Sequence, residues 1–149
     1  MCIRDRPVWV KMSPEAGDLA AVGKACEEAG ADALTAINTI RGLAVDASTG
    51  KARLWNRTGG LSGPAIKPLA LRMVFELSRA VSIPVIGIGG IATAEDAIEF
   101  LLAGATAVQV GTASFADPLA SKKVLGGIAR YCSERSVAAR DLIGAMKGA

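Results

Sequence analysis

Two glycine-containing turns carry the clearest chemical signal in the sequence. Gly89-Gly90 follows the apolar run 83–88, and Gly111-Thr112 follows the apolar run 107–110. Glycine lets the backbone turn sharply and approach another group closely, because it has no Cβ. Backbone N–H groups at such a turn, just before a helix, bind anions such as phosphate. We therefore predict that a phosphate binds at Gly89-Gly90 and Gly111-Thr112.

Three polar side chains stand near the ends of two other apolar segments. Lys11 lies in the run 7–12, where a charge is costly unless it has a partner. Asn38 and Thr39 follow the run 33–37. We expect all three to contact a ligand. The simpler alternatives are a lysine that extends to solvent from the end of the strand, and an Asn-Thr pair that only caps a turn.

Alternating strands and helices must position these residues. Helix 94–103 begins with Thr93 as N-cap and Asp96 three residues later, and Gly104 follows its end. The segment Ala29–Leu34 resembles Ala103–Val108, so the sequence repeats a helix end, a glycine and a strand. This alternation is typical of βα units on a parallel sheet. The predicted strands are 7–12, 33–37, 84–88 and 107–110, and the predicted helices are 18–29, 68–78, 94–103, 119–133 and a short one within 138–146.

An open doubly wound sheet and a barrel of eight βα units are the two architectures to weigh. The first needs a G-x-G-x-x-G fingerprint, which Gly87-Ile88-Gly89-Gly90 does not supply. A barrel typically has ~250 residues and often binds phosphate after its seventh and eighth strands. The last two predicted strands end in the glycine turns. We therefore predict an α/β fold that is the C-terminal half of a TIM (β/α)8 barrel, with about four βα units corresponding to strands 5–8.

The segment 40–63 shows neither helical nor strand periodicity. It contains five glycines and four basic residues. Such long stretches inside a compact domain are usually functional or disordered. We predict a loop that covers the site or faces the substrate.

Composition narrows the function classes. Of the 149 residues 51% are hydrophobic and 4% aromatic, and the net charge is +3 without a basic cluster, so we expect no nucleic-acid partner. No apolar run approaches the ~20 residues of a membrane span, so we expect no membrane association. Three cysteines without C-x-x-C spacing (Cys2, Cys26 and Cys132) favour a cytoplasmic setting and no metal site. Residues 1–6 fit no element, so we expect a leader foreign to the fold, a domain at 7–149 and a protein that extends further upstream.

Five motifs, in their order along the chain, resemble those of dihydroorotate dehydrogenases. Together with the Phe115–Pro118 segment that follows them, they look most like the class 1B, NAD-linked branch. One such motif would be weak evidence, but five in register are specific. They are Val10-Lys11-Met12-Ser13-Pro14, Ile37-Asn38-Thr39, the segment Gly59–Pro68, the segment Ile86–Ile91 and Val110-Gly111-Thr112-Ala113.

The resemblance implies an FMN-dependent barrel that oxidises dihydroorotate to orotate in de novo pyrimidine (UMP) biosynthesis. Lys11 would reach the N1/C2 side of the flavin, and the two glycine turns would hold its phosphate. Asn38 and Thr39 would bind the orotate ring and carboxylate. The implied cofactor set is Lys11, Ile37, Gly63, Gly89, Gly90, Gly111 and Thr112.

The resemblance also implies groups that this sequence does not contain. In the family a loop cysteine of the first half-barrel removes the C5 proton while hydride passes from C6 to flavin N5. We therefore expect no catalytic residue in this chain, no turnover by it alone and a missing N-terminal half-barrel. Expected partners are a second copy in a homodimer and a subunit with FAD and a [2Fe–2S] cluster that transfers electrons to NAD. The alternatives are the flavin domain of a dihydropyrimidine dehydrogenase-like enzyme and a non-catalytic phosphate-binding half-barrel.

Overall fold

The computed structural model describes residues 5–146, and within them strands and helices alternate as predicted. Residues 1–4 of the predicted leader, including Cys2, lie outside the described residues. The elements are β1 (Trp9–Met12), α1 (Leu19–Glu28), β2 (Ala33–Ala36), β3 (Ile40–Leu43), β4 (Val45–Asp46), β5 (Lys51–Ala52), β6 (Thr58–Leu61), α2 (Lys67–Ala80), β7 (Val85–Ile88), α3 (Ala94–Ala103), β8 (Ala107–Gln109), α4 (Ala113–Ala116) and α5 (Ala120–Arg135), with 3-10 turns at Pro64–Ile66 and Ala139–Leu142.

The main sheet has four parallel strands in the order β1-β2-β7-β8. All residues of the central strand β2 are buried, whereas the outer strands β1 and β8 are more exposed. Burial on both faces explains why the central strands are apolar except at Thr35. Parallel strands place their carboxyl ends at one edge, so the segments after them converge there. This sheet and its helices confirm the predicted α/β class and are consistent with part of a TIM barrel.

Helices α1, α2, α3 and α5 pack around one hydrophobic core. Its largest fully buried side chains are Phe100, Met12, Leu34, Leu77 and Val74. The start of α3 follows the predicted signal, because Thr93 forms a capping box with Asp96. At α1 the Asp18 side chain accepts a hydrogen bond from the N–H of Ala21, a cap that was not predicted. The main sheet is therefore held by helices whose starts are fixed by local hydrogen bonds.

The segment 40–63 differs from the predicted irregular loop. β3 pairs antiparallel with β6, and β4 pairs antiparallel with β5. Glycines face one another in this ribbon, with Gly42 opposite Gly59. Glycine has no side chain to alternate between faces, so the usual period of two is absent from the sequence. The region is a small antiparallel extension above the edge where the parallel strands end.

The last part of the chain also differs in detail. α4 was not predicted, because four residues are too few to show a helical period. The expected short helix within 138–146 is a 3-10 turn at Ala139–Leu142. Within residues 5–146, none of the helices is both long and apolar enough to cross a membrane.

Candidate functional site

A cavity of about 400 Å³ lies at the carboxyl ends of the parallel strands. Its wall combines apolar side chains such as Ile66, Ile88 and Ile91 with glycine turns and a few polar groups. Ligand pockets typically have this mixed character and a volume of ≈ 300–1,000 Å³. The structure brings to this cavity every residue of the predicted cofactor set, namely Lys11, Ile37, Gly63, Gly89, Gly90, Gly111 and Thr112.

The backbone at Gly89 and Gly90 can be formed only by glycine. Both residues have positive φ, 135° and 80°. A Cβ added at Gly89 would lie 2.6 Å from the Cβ of Ala70, and one added at Gly90 would lie 2.8 Å from the Gly63 carbonyl oxygen. Strand β7 therefore ends in a turn that packs tightly on its protein side and borders the cavity on the other.

Unpaired backbone donors surround the cavity at the two glycine turns. Within residues 5–146, the N–H groups of Gly89, Gly90, Gly111 and Thr112 donate to no other protein group. The Thr112 hydroxyl adds a fifth donor beside them. Gly89 is buried and Gly90 is half-buried, and N–H groups in such positions are nearly always satisfied, so these two donors indicate an acceptor from outside the chain. Gly111 and Thr112 are exposed and add further donors at the same cavity. A phosphate supplies acceptor oxygens of the right charge.

Lys11 contributes a positive charge to the same cavity. It is the third residue of β1, and in the described part of the chain no carboxylate lies within ion-pair distance of its ammonium group. The acidic residue nearest in sequence, Glu15, is instead 3.9 Å from Arg41. The Lys11 charge is therefore free to interact with a bound anion or a polar ring.

Asn38 and Thr39 differ in their position. Thr39 borders the main cavity and also a second, polar one of about 380 Å³, whereas Asn38 borders only the second. The Asn38 side chain accepts a hydrogen bond from the Thr39 N–H at 2.9 Å. A Cβ added at Gly60 of β6 would collide with the Thr39 side chain, so the antiparallel ribbon packs directly on Thr39. The two cavities thus meet at Thr39.

An ion-pair cluster behind the glycine turn was not predicted from the sequence. The Nζ atom of Lys67 lies 2.7 Å from Oδ1 of Asp96 and 2.9 Å from Oε2 of Glu99. The hydrogen bond to Asp96, and then that to Glu99, raises the pKa of Lys67 above its usual value. Burial raises the pKa of Asp96, but hydrogen bonds from Lys67, Ala92 and Thr93 outweigh it and bring that pKa down to about 2. The sequence showed only the Thr93–Asp96 capping box.

Acid unfolding should depend on Asp96. Its pKa is about 2 when folded and near 3.9 when unfolded, so its contribution is full above pH 4 and is lost as pH falls through 2. This difference corresponds to about 2 kcal/mol. We expect Asp96→Asn to abolish that share of the pH dependence between pH 5 and 2, measured by urea unfolding at each pH. Glu95→Gln, the adjacent exposed carboxylate in the same helical turn, is the control. If the free energy of unfolding of Asp96→Asn depended on pH as it does in the parent chain, the lowered pKa of Asp96 would be contradicted.

We next consider possible metal ligands and cysteine side chains among the described residues. No group of three or more His, Cys, Asp or Glu side chains within 5–146 could hold a metal ion. Cys26 and Cys132 are half-buried and border neither cavity. The residues at the site can bind and orient a ligand through N–H groups, hydroxyls, an amide and one ammonium group.

Comparison with known proteins identifies the family. The family model described as dihydroorotate dehydrogenase matches residues 2–131. The relative from Pelobacter propionicus, named dihydroorotate dehydrogenase B (NAD(+)), catalytic subunit, is 56% identical over 95% of this chain and 47% of its own length. Proteins of the same name from Trichlorobacter lovleyi and Geobacillus kaustophilus are 56% identical over 93% and 57% identical over 82% of the chain, covering 46% and 39% of their own lengths.

Two facts follow from these matches. The chain spans about half the length of the curated relatives it matches. The predicted resemblance, including its class 1B, NAD-linked branch, is confirmed by the names of those relatives. The chain belongs to the dihydroorotate dehydrogenase family, whose members are TIM-barrel, flavin-dependent oxidoreductases.

Proposed function

We propose that this chain forms one side of the cofactor and substrate site of an enzyme that oxidises dihydroorotate to orotate with FMN, in pyrimidine biosynthesis. One observation carries the proposal. Seven residues from five separate segments border a single cavity, and four of them present backbone N–H groups without a protein partner. An FMN molecule needs such a set because its phosphate is an anion at one end and its ring is polar at the other.

The residues present fit FMN. Gly90 and Gly111 both border the cavity, and a Cβ added at Gly111 would meet no protein atom within 4 Å, so the backbone at Gly111 is open to a ligand. Lys11 supplies a cation in the same cavity. When bound, the flavin supplies a two-electron acceptor for the hydride from dihydroorotate.

The chain's own residues bind and orient. The N–H groups of Gly89, Gly90, Gly111 and Thr112, with the Thr112 hydroxyl, hold the phosphate. Ile37 and Gly63 contact the cofactor through their backbone. Lys11 would place its ammonium charge near the N1/C2 side of the ring, as the family resemblance implies, where a cation would stabilise the reduced flavin.

Asn38 and Thr39 bind the substrate in this proposal. Thr39 borders both cavities, so a ligand in the second cavity would touch one in the first. An amide and a hydroxyl can donate to the carboxylate and ring carbonyls of orotate. We place the general base on the N-terminal half-barrel, as the family resemblance implies; within residues 5–146, Cys26 and Cys132 border neither cavity.

The proposed setting and partners follow the relatives' names. Those names state a catalytic subunit and NAD(+), which supports an electron-transfer partner. We place FAD, a [2Fe–2S] cluster and the step to NAD in that partner, a second copy of the catalytic subunit beside this one, and the assembly in the cytoplasm. The names also favour dihydroorotate over the substrate of a dihydropyrimidine dehydrogenase.

The proposal predicts that the purified chain binds FMN more tightly than riboflavin, which lacks the phosphate. We expect an affinity difference of about 10-fold or more, since a phosphate held by several N–H groups gains charge-assisted hydrogen bonds worth ≈ 1.5–3 kcal/mol each. Flavin fluorescence titration measures both dissociation constants. Equal affinities would refute the phosphate site and with it the proposed function.

Two glycine substitutions, one at the cavity and one away from it, test where the phosphate binds in the same titration. Neither Gly111 nor Gly126 has positive φ, and a Cβ added at either meets nothing within 4 Å. Only Gly111 borders the cavity; Gly126 lies on α5. Gly111→Ala should therefore weaken FMN binding while Gly126→Ala leaves it unchanged. If FMN binds but both variants bind it equally, the phosphate lies elsewhere.

A further inference from the structure

Lys67 joins two walls of the cavity without bordering it. It is the first residue of α2 and directly follows the Gly63–Ile66 turn, which forms one wall. Its ammonium group reaches Asp96 and Glu99 on α3, the helix that follows the Gly90 turn, which forms the adjoining wall. Only 25% of the Lys67 side chain and 14% of the Asp96 side chain is exposed. The pair is therefore screened less by solvent than a surface ion pair.

Asp96 uses both carboxylate oxygens to connect these walls. Oδ1 accepts the hydrogen bond from Lys67, and Oδ2 accepts hydrogen bonds from the N–H groups of Ala92 at 2.9 Å and Thr93 at 2.8 Å. Ala92 borders the cavity two residues after Gly90. One carboxylate thus ties the start of α2 to the segment that carries the glycine turn.

The backbone of Lys67 makes the second connection. A Cβ added at Gly90 would lie 2.9 Å from the Lys67 backbone nitrogen and 2.8 Å from the Lys67 Cβ. Lys67 therefore packs on the glycine turn with its backbone and holds the segment after that turn with its side chain. The Gly63 carbonyl oxygen lies at the same place, 2.8 Å from that added Cβ, so Lys67 packs where the Gly63 and Gly90 segments meet.

The cluster also decides which donors remain for a ligand. Asp96 occupies the N–H groups of Ala92 and Thr93, which would otherwise attract an anion to the start of α3. The N–H groups of Gly89, Gly90, Gly111 and Thr112 stay without a protein partner. An incoming phosphate is thereby directed to the glycine turns.

We propose that Lys67, Asp96 and Glu99 form a positioning cluster that sets the spacing between the Gly63 wall and the Gly90 wall, and so matches the cavity to a ligand with a flavin ring and a phosphate. This inference rests on the proposed function. The three side chains contact neither ligand end; they act through Gly63, Gly90 and Ala92. The affinity for a ligand that contacts only one wall does not depend on the cluster. The affinity for a ligand that contacts both walls does.

The test compares FMN and riboflavin binding in three variants of the full chain. Lys67→Met keeps the aliphatic stem and removes the charge, Lys67→Arg restores the charge, and Arg72→Met breaks the ion pair with Glu76 elsewhere on α2. We expect Lys67→Met to reduce the preference for FMN over riboflavin by roughly 10-fold. Lys67→Arg should recover most of the preference, and Arg72→Met should retain it. Amide chemical shifts of Gly63 and Gly90, recorded without flavin, should change in Lys67→Met but not in Arg72→Met.

These measurements distinguish a failure of the positioning role from a failure of the proposed function. An unchanged FMN preference in Lys67→Met, or an equal loss in Arg72→Met, would overturn the positioning role while leaving FMN binding intact. A parent chain without any FMN preference would overturn the proposed function. In that case unchanged Gly63 and Gly90 shifts in Lys67→Met would overturn the cluster as well, and altered shifts would uphold its control of the wall spacing.

Discussion

Lys11→Met is expected to lower kcat/KM for dihydroorotate oxidation by about 10²- to 10³-fold, the usual cost of removing one preorganised donor at a reacting centre. The measurement uses the chain co-expressed with the remaining part of the Pelobacter propionicus relative, which supplies the length that the chain does not span. Lys11 borders the cavity and has no carboxylate partner among the described residues. Methionine replaces the aliphatic part of the lysine side chain and removes the ammonium group with its charge and its N–H donors.

The loss should fall on kcat as well as on kcat/KM. In the proposed site the Lys11 charge would face a ring that becomes more negative during the reaction, so it would stabilise the transition state more than the bound substrate. A dye that accepts electrons directly from the flavin reports the reaction without the partner subunit. Lys24→Met on α1 is the control, because Lys24 borders neither cavity. Activity of Lys11→Met equal to that of Lys24→Met would exclude the assigned role.

Local signals in the sequence predicted the part of the site that depends on local geometry. The apolar run before Gly89, the two glycines and the Thr93 cap specify a strand, a turn and a helix from neighbouring residues alone. The structure forms all three where they were expected, as β7, a turn with two positive φ values and α3. Because parallel strands end at one edge, the prediction that these ends share a pocket needed only the strand order.

Two features could not be predicted for opposite reasons. The β3–β6 ribbon is local in sequence but glycine-rich, so its strands lack the side-chain alternation that identifies a strand. Lys67 and Asp96 carry opposite charges, but they are separated by 29 positions in the sequence. Only the packing of α2 on α3 brings the two side chains together. Lys67 was part of a recognised motif, and its function as a helix-to-helix connection becomes visible only with that packing.

The position of Asn38 was also not predictable from the sequence. Sequence adjacency groups it with Thr39, yet only Thr39 borders the main cavity. Successive residues of an extended segment direct their side chains to opposite sides, so neighbours in a motif need not share a pocket. The roles of both residues in substrate binding stay predictions.

Phe100→Ala should destabilise the chain by about 3–5 kcal/mol, as large-to-small changes at fully buried aromatic residues do. Phe100 is 0% exposed on α3 and belongs to the core that includes Val74 and Leu77. Urea unfolding measures the change. Phe115→Ala is the control, because Phe115 is 92% exposed and its loss should stay within about 0.5 kcal/mol. Equal effects of the two substitutions would contradict the packing of α3 on the sheet.

A second substitution tests where the Phe100 ring lies. A Cβ added at Gly87 of β7 would be 2.6 Å from Cδ1 of Phe100 and 3.2 Å from the Cβ of Ala105, so Gly87→Ala alone should be destabilising through overpacking. In the Phe100→Ala background the larger of these clashes disappears. The double variant should therefore be more stable than the sum of the single effects predicts, by about 0.5–3 kcal/mol for residues in contact. Strict additivity would show that the ring does not lie on Gly87. Because Gly87 is two residues before Gly89, the same contact fixes the strand from which the proposed phosphate turn begins.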